Sequence, residues 1–192
     1  IIGFAKMISD IASQATNVVI FFAIAFILTV LAVYWYSRSW TLTFLPLICS
    51  LTSLVWQFGM LEILGYGLDP LAILVPFLVF AIGVSHGIQQ VNQITKEVID
   101  GKSAEFAARA SFSRLIIPGS MALITDLVGF GTLILLPITM IKELAITASI
   151  GVAFKIVTNL IMLPLAASYA RYNEGFANSA QSAISYRQNL MS

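Results

Sequence analysis

The chain has 192 residues, of which 59% are hydrophobic and only 10% are charged, and its formal net charge is +1. A soluble domain usually has about 25% charged and about 45–50% apolar residues, so this chain has too few polar groups to cover a water-exposed surface. The small net charge gives no indication of a nucleic-acid partner. Cys49 is the single cysteine, which excludes an internal disulfide framework and a cysteine metal site within the chain.

The charged residues divide the sequence into five apolar runs, each long enough to be a membrane helix. A helix needs about 20 mainly apolar residues to cross about 30 Å of hydrocarbon. The sequence therefore predicts an all-α, polytopic membrane protein whose transmembrane domain covers residues 16–168. The predicted helices are residues 16–36, 41–63, 70–94, 114–136 and 143–168.

The segments outside these runs are polar. Asp69 and Pro70 have the residue types of an N-cap and a first helical position, so they predict the start of the third helix. We expect residues 95–113 to form an amphipathic helix along the membrane surface. Residues 1–15 are interpreted as the end of an external segment, and residues 169–192 as a cytoplasmic tail or linker. Because the chain begins without a methionine or a signal-peptide pattern, we expect it to be a piece of a longer protein.

The basic residues predict the orientation of the helices, because loops rich in Lys and Arg stay on the cytoplasmic side. Lys6 and Lys142 lie at one end of the predicted bundle. The richer end is therefore cytoplasmic, and the N-terminus is external, or periplasmic in a cell inner membrane. The residues at the richer end are Arg38, Lys96, Lys102, Arg109, Arg114, Arg171 and Arg187.

Three ionisable residues fall inside the predicted spans: His86, Asp126 and Lys155. Counted from the cytoplasmic helix ends at 1.5 Å per residue, they lie at depths of about 12, 18 and 20 Å, so all three could meet near the midplane. Ionisable residues inside a membrane are costly and usually functional. The sequence-based hypothesis is a proton relay, in which histidine is suited to gain and lose a proton near neutral pH. The alternatives are helix packing for His86, a structural ion pair for Asp126, and a snorkelling or fixed counter-charge for Lys155.

Polar and small residues accompany the three ionisable residues at helical spacings. Gly83 and Gly87 also form a small-residue pair that would let a neighbouring helix approach closely. We interpret this set as a shell that supports the proposed relay. Its members are Gly83, Ser85, Gly87, Gln89, Gln90, Thr125, Thr158 and Asn159.

Six short stretches follow one another in a characteristic order: Tyr36-Ser37-Arg38-Ser39, Leu45-Pro46-Leu47, Asp69-Pro70-Leu71, residues 76–87, residues 125–130 and residues 158–164. Together they resemble the resistance-nodulation-division (RND) superfamily of proton-driven transporters, particularly the MmpL-like and hopanoid-type lipid exporters. The resemblance covers about residues 1–170.

This resemblance implies a twelve-helix transporter built from two six-helix repeats, with a large external domain after the first helix of each repeat. The chain then corresponds to helices two to six of one repeat, and the tail favours the first repeat. The implied function is export or movement of lipids or other hydrophobic and amphiphilic molecules, with protons as the coupling ion and no other cofactor. The implied partners are the second repeat, the external domains, membrane lipids and a hydrophobic substrate; a homo-oligomer is compatible with this picture.

The chain departs from these relatives at the relay position. The relatives often have an acid, frequently Asp-Tyr, two residues after the glycine of the fourth helix, where this chain has Ser85-His86. Their next helix usually has Thr-Thr before Gly-Phe, where this chain has Thr125-Asp126. We therefore hypothesise that His86 and Asp126 together replace the usual acid. Lys155 matches no relay residue of the family.

Two further functions remain open. Sterol-sensing domains resemble the same five-helix unit, so the chain could be a lipid- or sterol-sensing regulatory domain, although such a domain needs no intramembrane charge. The protein-export motors SecD and SecF share the architecture as well. An enzyme is not expected, because Ser85 and His86 are adjacent on one helix and point about 100° apart, a poor geometry for a nucleophile and its base.

Overall fold

The computed structural model describes residues 4–66, 74–170, 172 and 181, and within them every regular element is helical. The all-α fold predicted from the sequence is confirmed. A short 3₁₀ turn, Leu133–Leu135, extends α4, and a π-helix, Ile156–Met162, joins α5 to α6. The α-helices are α1 Phe4–Ser37, α2 Trp40–Ile63, α3 Val75–Ile99, α4 Ala104–Thr132, α5 Thr139–Lys155 and α6 Leu163–Ser168.

Four stretches of the described helices are long and apolar enough to cross a bilayer: Val19–Ser37, Trp40–Ile63, Ala104–Leu135 and Thr139–Ser168. Many large apolar side chains are exposed on their outer surfaces, including Phe21, which is 63% exposed. An apolar surface of this extent is stable only against lipid or a partner protein. The protein is therefore a polytopic membrane protein.

Helix α3, which overlaps the predicted span 70–94, is not among these four apolar stretches. It packs against α2, α4 and α5, and thirteen of its 25 residues are buried. On the α1 side, the rings of Phe22 and Phe80 meet edge to face with centroids 5.6 Å apart. Because neighbouring helices cover one face of α3, that face can carry polar side chains that an isolated membrane helix would expose at high cost.

A close contact between two backbones fixes the packing of α2 and α3. Gly87 of α3 lies against Pro46 of α2, and a Cβ atom at Gly87 would collide with the proline ring. A small residue at such a crossing allows the helices to approach closely, and the contact energy then comes from backbone as well as side-chain atoms. The predicted packing role of Gly87 fits this contact.

The connection between α3 and α4 differs from the expected surface helix over residues 95–113. Helix α3 continues to Ile99, the chain reverses at Gly101 (φ +77°), and α4 begins at Ala104. The Ser103 hydroxyl accepts a hydrogen bond of 3.3 Å from the Phe106 N–H and so caps α4. The prediction of a surface helix over residues 95–113 is therefore wrong. The polar residues instead form the ends of two long antiparallel helices.

Two other predicted boundaries also change. Helix α1 already includes residues from Phe4 onwards, so the expected external lead-in over residues 1–15 is helical where it is described. Asp69 and Pro70 lie outside the described residues, as does most of the predicted tail. In the described part of the tail, Tyr172 is half-buried and donates a hydrogen bond to the Ala167 carbonyl; burial raises the pKa of its phenol to about 12.

Candidate functional site

Lys155 is the largest fully buried side chain in the described part of the protein, with 0% of its surface exposed. Its Nζ atom donates a hydrogen bond of 3.2 Å to the Ser50 carbonyl of α2. On its other side the ammonium group lies against Gly83 of α3, where any Cβ atom would collide with it. The lysine of α5 therefore occupies the point where α2, α3 and α5 meet, and glycine at position 83 makes room for it.

Asn159, one turn after Lys155, completes this site. Its Nδ2 atom donates a hydrogen bond of 2.6 Å to the Gly83 carbonyl. Its Oδ1 atom and the Ser50 Oγ atom are buried and have no hydrogen-bond partner among the described residues. We call Lys155, Ser50, Gly83 and Asn159 the Lys155 cluster. It combines one cation with acceptor oxygens that still have free lone pairs.

No carboxylate neutralises Lys155 within the described residues. The ion pairs of that part of the chain join Arg114 to Glu97 and Arg109 to Glu105. Burying an ammonium group without a charged partner costs several kcal/mol unless hydrogen bonds compensate for the lost water. A side chain this costly to bury is a candidate for function rather than for stability.

Uncharged polar side chains extend the Lys155 cluster in both directions along the bundle. Towards the end of α2, Gln57 Nε2 donates to the Thr147 carbonyl at 2.9 Å, while its Oε1 atom has no described partner. Towards the other end of α3, Gln90 is 2% exposed, and both polar atoms of its side-chain amide lack a described partner. The interior therefore carries buried amide atoms without a described partner on both sides of Lys155 along the bundle.

The π-helix begins directly after Lys155. The Leu163 N–H donates to the Thr158 carbonyl, five residues earlier instead of four. Pro164 follows and has no N–H to continue a regular α-helical ladder, which favours the wider turn. π-helical turns are rare and frequently occur at functional sites. This wider turn places both Thr158 and Asn159 in the buried interior.

The structure places His86 and Asp126 outside the Lys155 cluster. Both are half-buried, His86 on α3 and Asp126 on α4. Within the described chain no hydrogen bond or ion pair joins His86, Asp126 and Lys155 to one another. The direct meeting of all three that the depth estimate allowed is not seen.

Residues 35–168, well over half of the chain, match the family described as the sterol-sensing domain of SREBP cleavage-activation. The chain belongs to the sterol-sensing domain family. One curated relative, from Methanocaldococcus jannaschii, carries the name "Putative membrane protein MJ1562" and is 23% identical over 159 residues. That alignment covers 83% of this chain but 40% of the relative, so the sterol-sensing domain chain spans less than half of that protein's length.

The predicted shell divides into buried and exposed members in this sterol-sensing domain. The Thr125 hydroxyl donates to the Met121 carbonyl on its own helix, and the Thr158 hydroxyl to the Phe154 carbonyl. The hydrogen bonds of the Lys155 cluster among the described residues involve none of the exposed members. Exposed are Ser85, Gln89 and Thr125; buried are Gly83, Gly87, Gln90, Thr158 and Asn159.

Sequence reasoning missed the contribution of α2 to the site of this sterol-sensing domain. Ser50, Ser53 and Gln57 are all fully buried, and the Ser53 hydroxyl donates to the Ser50 carbonyl at 2.8 Å. None of the three carries a charge, so no single one of them predicts a site within an apolar span. Their spacing of three and then four residues puts them on one helix face, and that periodicity within an apolar span would have identified them.

Proposed function

We propose that this sterol-sensing domain is part of an RND-type transporter, close to the MmpL-like exporters, that uses the proton-motive force to move lipids or other amphiphilic molecules. The observation that carries the proposal is the fully buried Lys155, held between α2, α3 and α5 with no carboxylate partner among the described residues. A domain that only binds lipid has no need of a buried ammonium group. A transporter that couples substrate movement to protons needs intramembrane groups whose charge can change.

In this proposal the proton passes through the ionisable groups His86 and Asp126. Asp126 and His86 are half-buried, so they are accessible from outside the described chain, whereas Lys155 is not. A change of charge on His86 or Asp126 would alter the field at Lys155 and its attraction to the Ser50 and Asn159 oxygens. Protonation that changes such contacts can bias one arrangement of packed helices against another.

The exposed polar residues of α3 support the proposed partner, a second helical repeat of the same protein. Ser85 and Gln89 are exposed one turn apart beside half-buried His86. A polar stripe in the membrane-spanning part of a helix avoids lipid and faces another helix or water. Together with external domains, the second repeat would complete the transport path in an inner membrane, with the N-terminus periplasmic and the C-terminus cytoplasmic. A homo-oligomer of the complete transporter is compatible with this arrangement.

The test uses the full-length protein in vesicles of phosphatidylethanolamine and phosphatidylglycerol that contain a pH-sensitive dye. A pH gradient is imposed, and proton entry is compared between wild type, Asp126→Asn and His86→Gln. Glu62→Gln is the matched control, because Glu62 is an exposed carboxylate at the far end of α2. We expect wild type and Glu62→Gln to conduct equally and the other two variants to lose at least about tenfold, as expected when a proton-transfer group is removed.

Each alternative outcome is informative once circular dichroism shows that the variants are folded. Equal flux in all four proteins would remove Asp126 and His86 from the proton path. No flux above protein-free vesicles in any protein, with or without added fluorescent phospholipid, would contradict proton coupling.

Lipid or sterol sensing is the second candidate function, and the family match favours it. A sensing domain would bind a sterol or lipid and change shape without moving protons. The same vesicles distinguish the two functions, because sensing predicts sterol-dependent protease protection with no proton flux in wild type. Sterol-independent flux would favour the transporter.

A further inference from the structure

A groove of about 540 Å³ lies between the first turns of α4 and the opposite wall, which the end of the π-helix and α6 form. Its size falls within the range of about 300–1,000 Å³ that is typical of small-molecule sites. The residues that shape it and matter for its chemistry are Glu105, Arg109, Phe112, Ile161, Leu165 and Tyr169. We call it the α4–α6 groove. It shares no residue with the Lys155 cluster, which is buried in the interior of the bundle.

The groove is polar at one end and apolar at the other. Glu105 and Arg109 sit in the first two turns of α4, while Phe112 lies about 10 Å beyond Glu105 and about 4.5 Å beyond Arg109 along the helix. On the opposite wall, Tyr169 directly follows α6 and is 82% exposed, whereas Ile161 lies about 12 Å deeper. Both walls therefore change from polar to apolar in the same direction.

This gradient coincides with the expected depth of the bilayer surface. The apolar stretch Ala104–Leu135 measures about 48 Å at 1.5 Å per residue, which exceeds the hydrocarbon thickness of about 30 Å. Its ends must therefore reach the headgroup layers. Glu105, Arg109 and Tyr169 then lie at headgroup level, where tyrosine is commonly found, and Ile161 and Leu165 lie beside acyl chains.

The charges at the polar end are complementary to a zwitterion. Arg109 Nη2 and Glu105 Oε1 are 3.5 Å apart, and both side chains are more than 75% exposed. An exposed pair of this kind contributes little stability, so a ligand can replace it at small cost. A phosphate would bind the guanidinium group, and an ammonium group would bind the carboxylate. An anionic headgroup without an amine would meet repulsion from Glu105, and a trimethylated amine would donate no hydrogen bond.

We propose that the α4–α6 groove binds a phospholipid with an ethanolamine headgroup, its phosphate on Arg109, its amine on Glu105 and one acyl chain along Phe112, Ile161 and Leu165. The proposal does not rest on proton coupling. It holds for a transporter and for a sensor alike, because it concerns a site on the outer surface of the helices.

The test is a lipid titration of the full-length protein in detergent, followed by native mass spectrometry. Dioleoyl phosphatidylethanolamine, phosphatidylcholine and phosphatidylglycerol are added separately to wild type, Glu105→Gln and Arg109→Gln. Lys102→Gln is the matched control, because Lys102 is exposed nearby but does not line the groove. We expect the ethanolamine lipid to bind wild type and the control about tenfold more tightly than the other two lipids, and Glu105→Gln and Arg109→Gln to lose this preference.

Equal binding of the three lipids to wild type would overturn the proposal, and so would an unchanged preference in both groove variants. A second variant, Leu165→Trp, fills the apolar end without touching the charges and should remove one bound ethanolamine lipid.

Discussion

Lys155 is the residue on which the site depends, and it is retained at a cost to stability. Its ammonium group is fully buried and makes one described hydrogen bond, to the Ser50 carbonyl. An unbranched apolar side chain of similar length would fill the same space without the desolvation cost. When a residue destabilises the fold but is needed for function, replacing it commonly makes the protein more stable.

We therefore predict that Lys155→Met stabilises the protein. Replacing buried charged groups by apolar side chains of similar volume is neutral or stabilising by about 1–4 kcal/mol. The midpoint of thermal unfolding in detergent should rise in Lys155→Met. Lys142→Met, which changes an exposed lysine at the other end of α5, should leave the midpoint unchanged. A lower midpoint for Lys155→Met would show that the ammonium group stabilises the fold.

Gly83 gives the complementary prediction at the same site. A methyl group at position 83 would collide with Lys155 and with the Ser50 hydroxyl, so there is no free space for that methyl group. Overpacking of this kind costs about 1–3 kcal/mol, so Gly83→Ala should lower the unfolding midpoint. Gly129→Ala is the control, because a Cβ atom there meets nothing within 4 Å and alanine favours a helix. Equal midpoints for the two variants would contradict the tight packing of α3 on α5.

At the scale of elements, the α3–α4 hairpin depends on a glycine in a left-handed conformation. Gly101 has φ +77°, and a Cβ atom there would meet no neighbour within 4 Å. Gly101→Ala should therefore cost about 1 kcal/mol through backbone strain alone. Gly59→Ala, at a helical position with equally free space, should not destabilise. If both variants unfold at the wild-type midpoint, the turn does not have this conformation in the membrane.

The elements also show what the sequence could and could not predict. Charge-free runs located the helices because each charge is expensive in hydrocarbon, and that signal is strong. The α3–α4 connection was misjudged because a polar, amphipathic segment fits a surface helix and a helix extension equally well. Gly101 followed by Ser103 is the pattern of a helix end and a new N-cap. This pattern distinguishes a helix extension from a surface helix.

The site was predictable around its charged residue, Lys155, and on the two helices that the sequence analysis associated with the ionisable residues. Lys155, Asn159 and Gly83 stood out from their spans, and the structure brings these three together. Ser50 and Gln57 did not, because a single serine or glutamine costs little in a membrane helix and their shared face becomes evident only from periodicity. The sequence also could not show that Lys155 faces α2 and α3 rather than Asp126, since depth along a helix does not fix its rotation.

At the scale of the whole molecule, the helices form a unit with two contrasting surfaces. The interior contains the Lys155 cluster and unpartnered amide atoms of Gln57 and Gln90. The outside is apolar except for the polar positions of α3 and the headgroup-level ends of the helices. This arrangement, a polar interior enclosed by helices and an apolar outer surface, is what a membrane-embedded helical unit requires.

The most direct test of this account is proton flux in Lys155→Met, measured with the full-length protein in dye-loaded vesicles under an imposed pH gradient. Lys142→Met is the matched control, since it removes an exposed lysine from the same helix. The account predicts that Lys155→Met loses proton flux while remaining folded and at least as stable as wild type, and that Lys142→Met conducts normally. Wild-type flux in a folded Lys155→Met protein would contradict the account and leave the buried lysine without a role in coupling.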